Sequence, residues 1–220
     1  MGSVEFPQYS MRERVADGCI HAVGVTASLA AFIALLVIAV MSHTLLWVVS
    51  LAIYGVALVL MFSCSAGYNL VLRPKLKAIM RRLDHAAIFL MIAGSYTPFT
   101  TQRFDYPWSI VITTAIWTVA VVAAAGKLLL PGLSRRIWLL AYLALGWAGV
   151  CAFPQFLDGV SRTALVLIAI GGALYTIGVP LYASTRLRFR RAIWHAFVLA
   201  AACVHYAAVM VGVVFAAARA

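Results

Sequence analysis

Seven times along this chain the charged residues give way to apolar sequence for about the thickness of a bilayer. The stretches cover roughly residues 21–42, 46–71, 85–102, 107–129, 136–153, 163–184 and 192–217. A membrane-spanning helix needs about 20 such residues at 1.5 Å rise each. Inside a bilayer the backbone polar groups of a span must be satisfied within the segment itself, so single runs of this length predict helices. Only short polar breaks separate them, including the turn around His43 and the links ending in Arg82, Arg136 and Arg191. With 65% hydrophobic and 10% charged residues, the chain is far from the roughly half apolar and quarter charged make-up of soluble domains, which excludes that class. The expectation is an all-α membrane protein, a seven-transmembrane-helix bundle forming one domain over residues 1–220, with 1–20 a cytoplasmic or interfacial segment. No cleavable signal is expected, because charges of both signs precede the first run without a small-residue cleavage site.

A net charge of +11 would suggest nucleic acid on a soluble chain, but here the basic residues sort by side. Arg12, Arg14, the 2–3 link (Arg73, Lys75, Lys77, Arg81, Arg82), the 4–5 link (Lys127, Arg135, Arg136) and the 6–7 link (Arg186, Arg188, Arg190, Arg191) hold 14 of the 17 Lys and Arg. The positive-inside rule then puts the N-terminus in the cytoplasm and the C-terminus outside, in the cytoplasmic membrane of the cell. The expected partners are membrane lipids, whose anionic headgroups attract such links, and not nucleic acid. Cys19, Cys64, Cys151 and Cys203 stand singly with no CxxC spacing, which predicts small buried hydrophobes.

Ionisable groups inside such helices are costly and mark functional sites by default. With topology assigned, they fall at one end: His21 opens the first span, Asn69 ends the second, Asp84 and His85 open the third, and His195 lies one turn into the seventh. Glu13, Asp17 and His21 are spaced four apart, as are Ser65 and Asn69, so each set shares a helix face. Asp84 and His85 differ by about 100° of rotation, so only one points squarely into a shared pocket. Each position also has a plainer reading: an interfacial polar face for Glu13, Asp17 and His21, helix caps for Asn69 and Asp84, and an aromatic-belt anchor for Trp194-His195. His205, ten residues further along, is predicted to be a buried polar group bonded to a neighbouring helix. Gly171, Gly172 and Gly178 with Pro180 predict close packing and a kink in the sixth span, and Tyr96-Thr97-Pro98 an end or kink in the third.

These blocks resemble the hemolysin III family, the bacterial branch of the progestin and adipoQ receptor (PAQR) superfamily. RERVADGCIHAVG resembles its opening motif, with Glu13 and His21 matching and Asp17 where Asn is usual. SAGYN at 65–69 resembles a Ser-x-x-Tyr-His motif, RRLDHAAIFLMIAGSYTPF is close to the best-known block, and IWHAFVLAAACVHY resembles the last helix. The resemblance implies a cytoplasmic-side site in which zinc is held by three histidines with an Asp and a Ser nearby, and relatives that hydrolyse ceramide amides. Ser65, Asp84 and His195 match that pattern. Asn69 and Arg191 stand where two histidines are expected. A zinc site in this chain would therefore be rearranged, drawing on Asp84, His195 and either His21 or His85.

Two functions follow as expectations. In the enzymatic one, a metal-dependent lipid amide hydrolase, Asp84 is the general acid/base, His195 a ligand or second acid/base, and Ser65 and Asn69 orient the carbonyl or water. In the other, the pocket senses lipid and regulates membrane composition without turnover. A pore-forming cytolysin ranks behind both, because no span carries a charged stripe suited to an aqueous pore.

Overall fold

The computed structural model describes residues 10–42, 44–130, 133–184 and 186–217. The first nine residues of the expected N-terminal segment, the turn residue His43 and Arg219 lie outside these. Described secondary structure is entirely helical: α1 (Met11–Ser42), α2 (Leu45–Leu70), α3 (Pro74–Arg103), α4 (Trp108–Leu129), α5 (Arg135–Gly146), a 3-10 turn (Ala148–Ala152), α6 (Phe153–Gly159), α7 (Arg162–Ala183) and α8 (Arg190–Val209), which continues through a π turn (Met210–Val214) into α9 (Phe215–Ala217).

Helix starts follow from their capping residues. The Ser10 backbone N–H and Oγ both donate to Glu13 Oε2 at 2.9 Å, and the Glu13 N–H donates back to Ser10 Oγ at 3.3 Å. This reciprocal capping box starts α1 ahead of the apolar run, so the expected interfacial segment is the first turns of one continuous helix and not a separate element. Ser134 and Ser161 cap α5 and α7 through the N–H groups of Ile137 and Ala164. α3 begins at Pro74, ten residues ahead of Asp84, so Asp84 caps nothing. Pro98 does not end it, because α3 runs on to Arg103.

Six helical segments among the described residues are long and apolar enough to cross a membrane: Met11–Met41, Leu45–Leu70, Trp108–Leu129, Arg136–Gly159, Arg162–Ala183 and Arg190–Val214. The fourth of these is not a simple rod, because α5 and α6 are joined through the 3-10 turn. The remaining long helix, α3, is too polar to join that set, with Lys75, Lys77, Arg81, Arg82 and Asp84 in its first half and Ser95, Tyr96, Thr97, Thr100, Thr101 and Gln102 in its second. Its polar groups are satisfied internally. Thr97 Oγ1 donates to the Ala93 carbonyl at 2.9 Å and accepts from Trp117 Nε1 at 3.0 Å, while Thr113 on α4 donates to Thr100 Oγ1 at 2.6 Å.

α3 sits against α2 and α4, touches α5, α8 and the π turn, and buries Asp84, Phe89, Ala93, Thr97 and Thr100. Close approach is set by Gly94, where an added Cβ would lie 2.8 Å from the Ala57 Cβ of α2. Around this centre the other helices turn Val37, Val40, Ile110, Val121, Val122, Ile170 and Ile177 outward, the apolar exterior that lipid requires. Cys19, Cys151 and Cys203 face outward too, and Cys64 is only half-buried. This corrects the expectation of buried cysteines: a thiol is apolar enough to meet hydrocarbon directly. His205 Nε2 lies 3.3 Å from the Ile168 carbonyl of α7, and its ring fills the space that a side chain at Gly171 would need.

Candidate functional site

The polar ends of α1, α2, α3 and α8 meet at one end of an internal cavity of about 850 Å³. The i, i+4 spacing on α1 puts Asp17 and His21 on a single face, both buried, and the same spacing on α8 turns Arg191 and His195 toward them. Asp17 is the centre. Its Oδ1 lies 2.5 Å from His195 Nδ1, its Oδ2 lies 3.0 Å from an Arg191 guanidinium nitrogen, and His21 Nε2 lies 3.7 Å from Oδ2. The two imidazole rings are 4.4 Å apart between centroids.

Asn69, one residue before the end of α2, joins from the other side. Its Nδ2 donates to the Ser65 carbonyl at 2.8 Å and lies 3.0 Å from His21 Nε2. Since a carbonyl can only accept, the NH2 end of the amide faces Ser65, and its second proton goes to His21 Nε2, which is the unprotonated acceptor. Asn69 Oδ1 is buried without a hydrogen-bond partner among the described residues.

Ser65 and Asp84 form the next group. Both are buried, and both line the cavity. His85 lines it as well, but its ring lies 6.4 Å from that of Tyr68, outside the cluster around Asp17. The expected site residues thus divide: His21, His195 and Asn69 come together on Asp17, Ser65 and Asp84 make a neighbouring pair, and His85 belongs to the wall. Glu13 is a clasp: besides capping α1, its Oε1 accepts the Phe189 N–H at 3.0 Å, tying α1 to the start of α8. At the mouth Lys77 Nζ donates to the carbonyls of Tyr68 at 3.2 Å and Val71 at 3.0 Å. Burial, with Arg191 and Arg14 adding to it, pushes its pKa below the usual lysine value.

Deeper in, the cavity is lined by Met91, Phe99, Phe156, Ile168 and Val198. Ionisable groups at one end and hydrocarbon at the other define a class: a multi-span helical membrane protein with an amphipathic internal chamber. The chain belongs to the Haemolysin-III related family, whose sequence pattern it matches over residues 9–206. It is 31% identical to Hemolysin-3 of Bacillus cereus over 189 residues, 86% of this chain and 86% of that protein. It is 28% identical to the Hemolysin-3 homolog of Bacillus subtilis over 191 residues, 87% and 90% of the two chains. The monocyte to macrophage differentiation factor of Homo sapiens is 28% identical over 165 residues, 71% of this chain and 67% of that one, which supports the wider PAQR superfamily.

Whether these residues suit the zinc that the family resemblance implies can be judged on their bonds. Asp17, His21 and His195 offer ligand atoms within 4.8 Å of one another, and two imidazoles with a carboxylate are a zinc donor set. As folded, both Asp17 oxygens and His21 Nε2 are already committed to internal partners. His21 then carries its proton on Nδ1, and His195 has only its second ring nitrogen left to offer. One imidazole is two short of the three protein ligands of a catalytic zinc. Asn69 and Arg191, at the two remaining expected ligand positions, bring an amide and a permanent cation, neither of which is a zinc ligand of choice. The three-histidine site does not fit this chain.

Proposed function

We propose that this protein binds a membrane lipid in the chamber, headgroup at the Asp17, Ser65 and Asp84 end and acyl chain among Met91, Phe99 and Val198. The observation that carries this is the continuity of the polar cluster with an apolar cavity of about 850 Å³, within the roughly 300–1,000 Å³ of small-molecule sites. In this reading α3 crosses the cytoplasmic membrane as a seventh span, its polar half shielded by α2 and α4. The basic links hold the headgroup end, with the N-terminus, on the cytoplasmic side. The protein then senses or regulates lipid composition.

The test is lipid retained through purification, measured by mass spectrometry. Wild type is expected to carry about one tightly held lipid per chain, and Val198→Trp, which puts a bulky ring into the apolar part of the chamber, to lose it while keeping its helical content. Equal lipid in the two proteins refutes the reading.

Hydrolysis of a lipid amide is the second reading, favoured by the Ser65–Asp84 pair opening on the same cavity. The buried carboxyl is placed to exchange a proton with a bound amide, and the Ser65 hydroxyl to orient the carbonyl. Release of fatty acid from a ceramide-like amide in proteoliposomes, abolished by Asp84→Asn, distinguishes it from lipid sensing alone.

A further inference from the structure

We infer that the guanidinium of Arg191 is the resident cation of this site, and that the chain has exchanged a metal ion for an internal ion pair that two substitutions would reverse. Three observations support it. First, Arg191 donates to Asp17 Oδ2 at 3.0 Å while His195 holds Oδ1 at 2.5 Å, so each oxygen of the cluster's carboxylate already has a partner within the chain. Arg191 is permanently charged, and its planar fork suits a carboxylate. A divalent ion brought to Asp17 would meet this positive charge and would have to displace it.

Second, the Asn69 amide commits both its protons, one to the Ser65 carbonyl and one to His21 Nε2. His21 thereby loses the lone pair through which it would coordinate. That orientation leaves Asn69 Oδ1 stranded without a partner among the described residues. The amide donates to His21 at the expense of its own acceptor.

Third, the cluster is largely buried, although it lines the cavity. The side chains of His21, Asp17, His195 and Arg191 are 3%, 6%, 12% and 17% exposed. Charge inside such a site must balance locally, and Asp17 with Arg191 achieves this without an added ion. Asn69 and Arg191 act together: one blocks the imidazole on α1, the other the carboxylate beside it. Exchanging both for histidine removes the blocking proton donor and the competing charge, and adds two imidazoles next to His21 and His195.

The experiment is the zinc content of detergent-purified protein after dialysis against zinc and then buffer, read by elemental mass spectrometry. Wild type is expected to hold less than about 0.1 zinc per chain and Asn69→His/Arg191→His about one, the stoichiometry of a single closed site. The variant should also gain thermal stability on zinc addition, which wild type should not. About one zinc per wild-type chain overturns the inference, as does a folded double variant that stays zinc-free. If the double variant does not fold, Arg191→His decides, since it alone frees Asp17 and adds an imidazole beside His195: zinc at the wild-type level overturns the inference. Zinc and retained lipid are separate readouts, so failure here leaves the lipid-binding proposal standing, and the reverse.

Discussion

Replacing Asp17 by Asn is the sharpest perturbation of the cluster, because it removes one charge and almost no volume. Asparagine can still accept from His195 Nδ1, but Arg191 loses its counter-ion in a site where the two paired side chains are only 6% and 17% exposed. Breaking a buried pair from one side costs about 3–5 kcal/mol, because a charge is left desolvated and uncompensated. For a chain of this size each kcal/mol moves the unfolding midpoint by about 2–4 °C, so the expected loss is roughly 6–20 °C, read by tryptophan-fluorescence thermal melts in detergent. Removing both charges together, as Asp17→Asn/Arg191→Met, is expected to recover most of that loss, since the pair's net worth against an uncharged replacement is small. The coupling between the two positions is thus large and of restoring sign. A double variant whose loss is the sum of the single losses, or an Asp17→Asn protein melting within about 2 °C of wild type, would refute the claim that Asp17 and Arg191 neutralise one another.

Two further outcomes test the packing around the site. Tyr96→Phe removes a hydroxyl that donates to the Gly146 carbonyl at 2.7 Å and accepts from the Gly149 N–H at 2.8 Å. Stranding those groups at the break between α5 and α6 should cost about 1–3 kcal/mol in the same melts, and a midpoint unchanged within error would show that the break is held by other contacts. Gly94→Leu drives a side chain into Ala57 of α2, with an expected cost of at least about 1–3 kcal/mol from overpacking; a neutral result would mean that α2 and α3 separate more easily than their contact implies.

The long apolar spans were legible because apolar length is a property of one dimension. α3 is longer than its apolar run for the same reason: its first ten residues, Pro74–Leu83, carry Lys75, Lys77, Arg81 and Arg82, which interrupt the hydropathy pattern although the helix runs through them. The break within the fifth apolar run has a signal only in hindsight, in Gly146, Gly149 and Pro154. At the site, the i, i+4 pairs on α1, α2 and α8 could be read directly, since they depend on the turn of one helix. What could not be read is that α1 lies against α8, which joins residues 174 positions apart. Arg191 therefore reads in the sequence as a lost ligand, whereas in the fold it is Asp17's partner. His85, one residue from Asp84, reads as an equal candidate until the rotation of α3 places it on the wall beside Tyr68.

The clasp between Glu13 and the Phe189 N–H bears on how the protein is made. Everything α1 contributes is translated first and everything α8 contributes last, so during synthesis Asp17 and His21 have no Arg191 or His195 to meet. At roughly 5–20 residues per second, those 174 residues keep the first helix waiting for on the order of 10–30 s. For that interval the carboxylate and the imidazole of α1 lack their α8 partners, and the Asn69 amide on α2 is the cluster member that arrives first. A chain arrested before residue 190 would never resolve that state. The bond from Glu13 to Phe189 can form only once synthesis has reached the residue that opens α8.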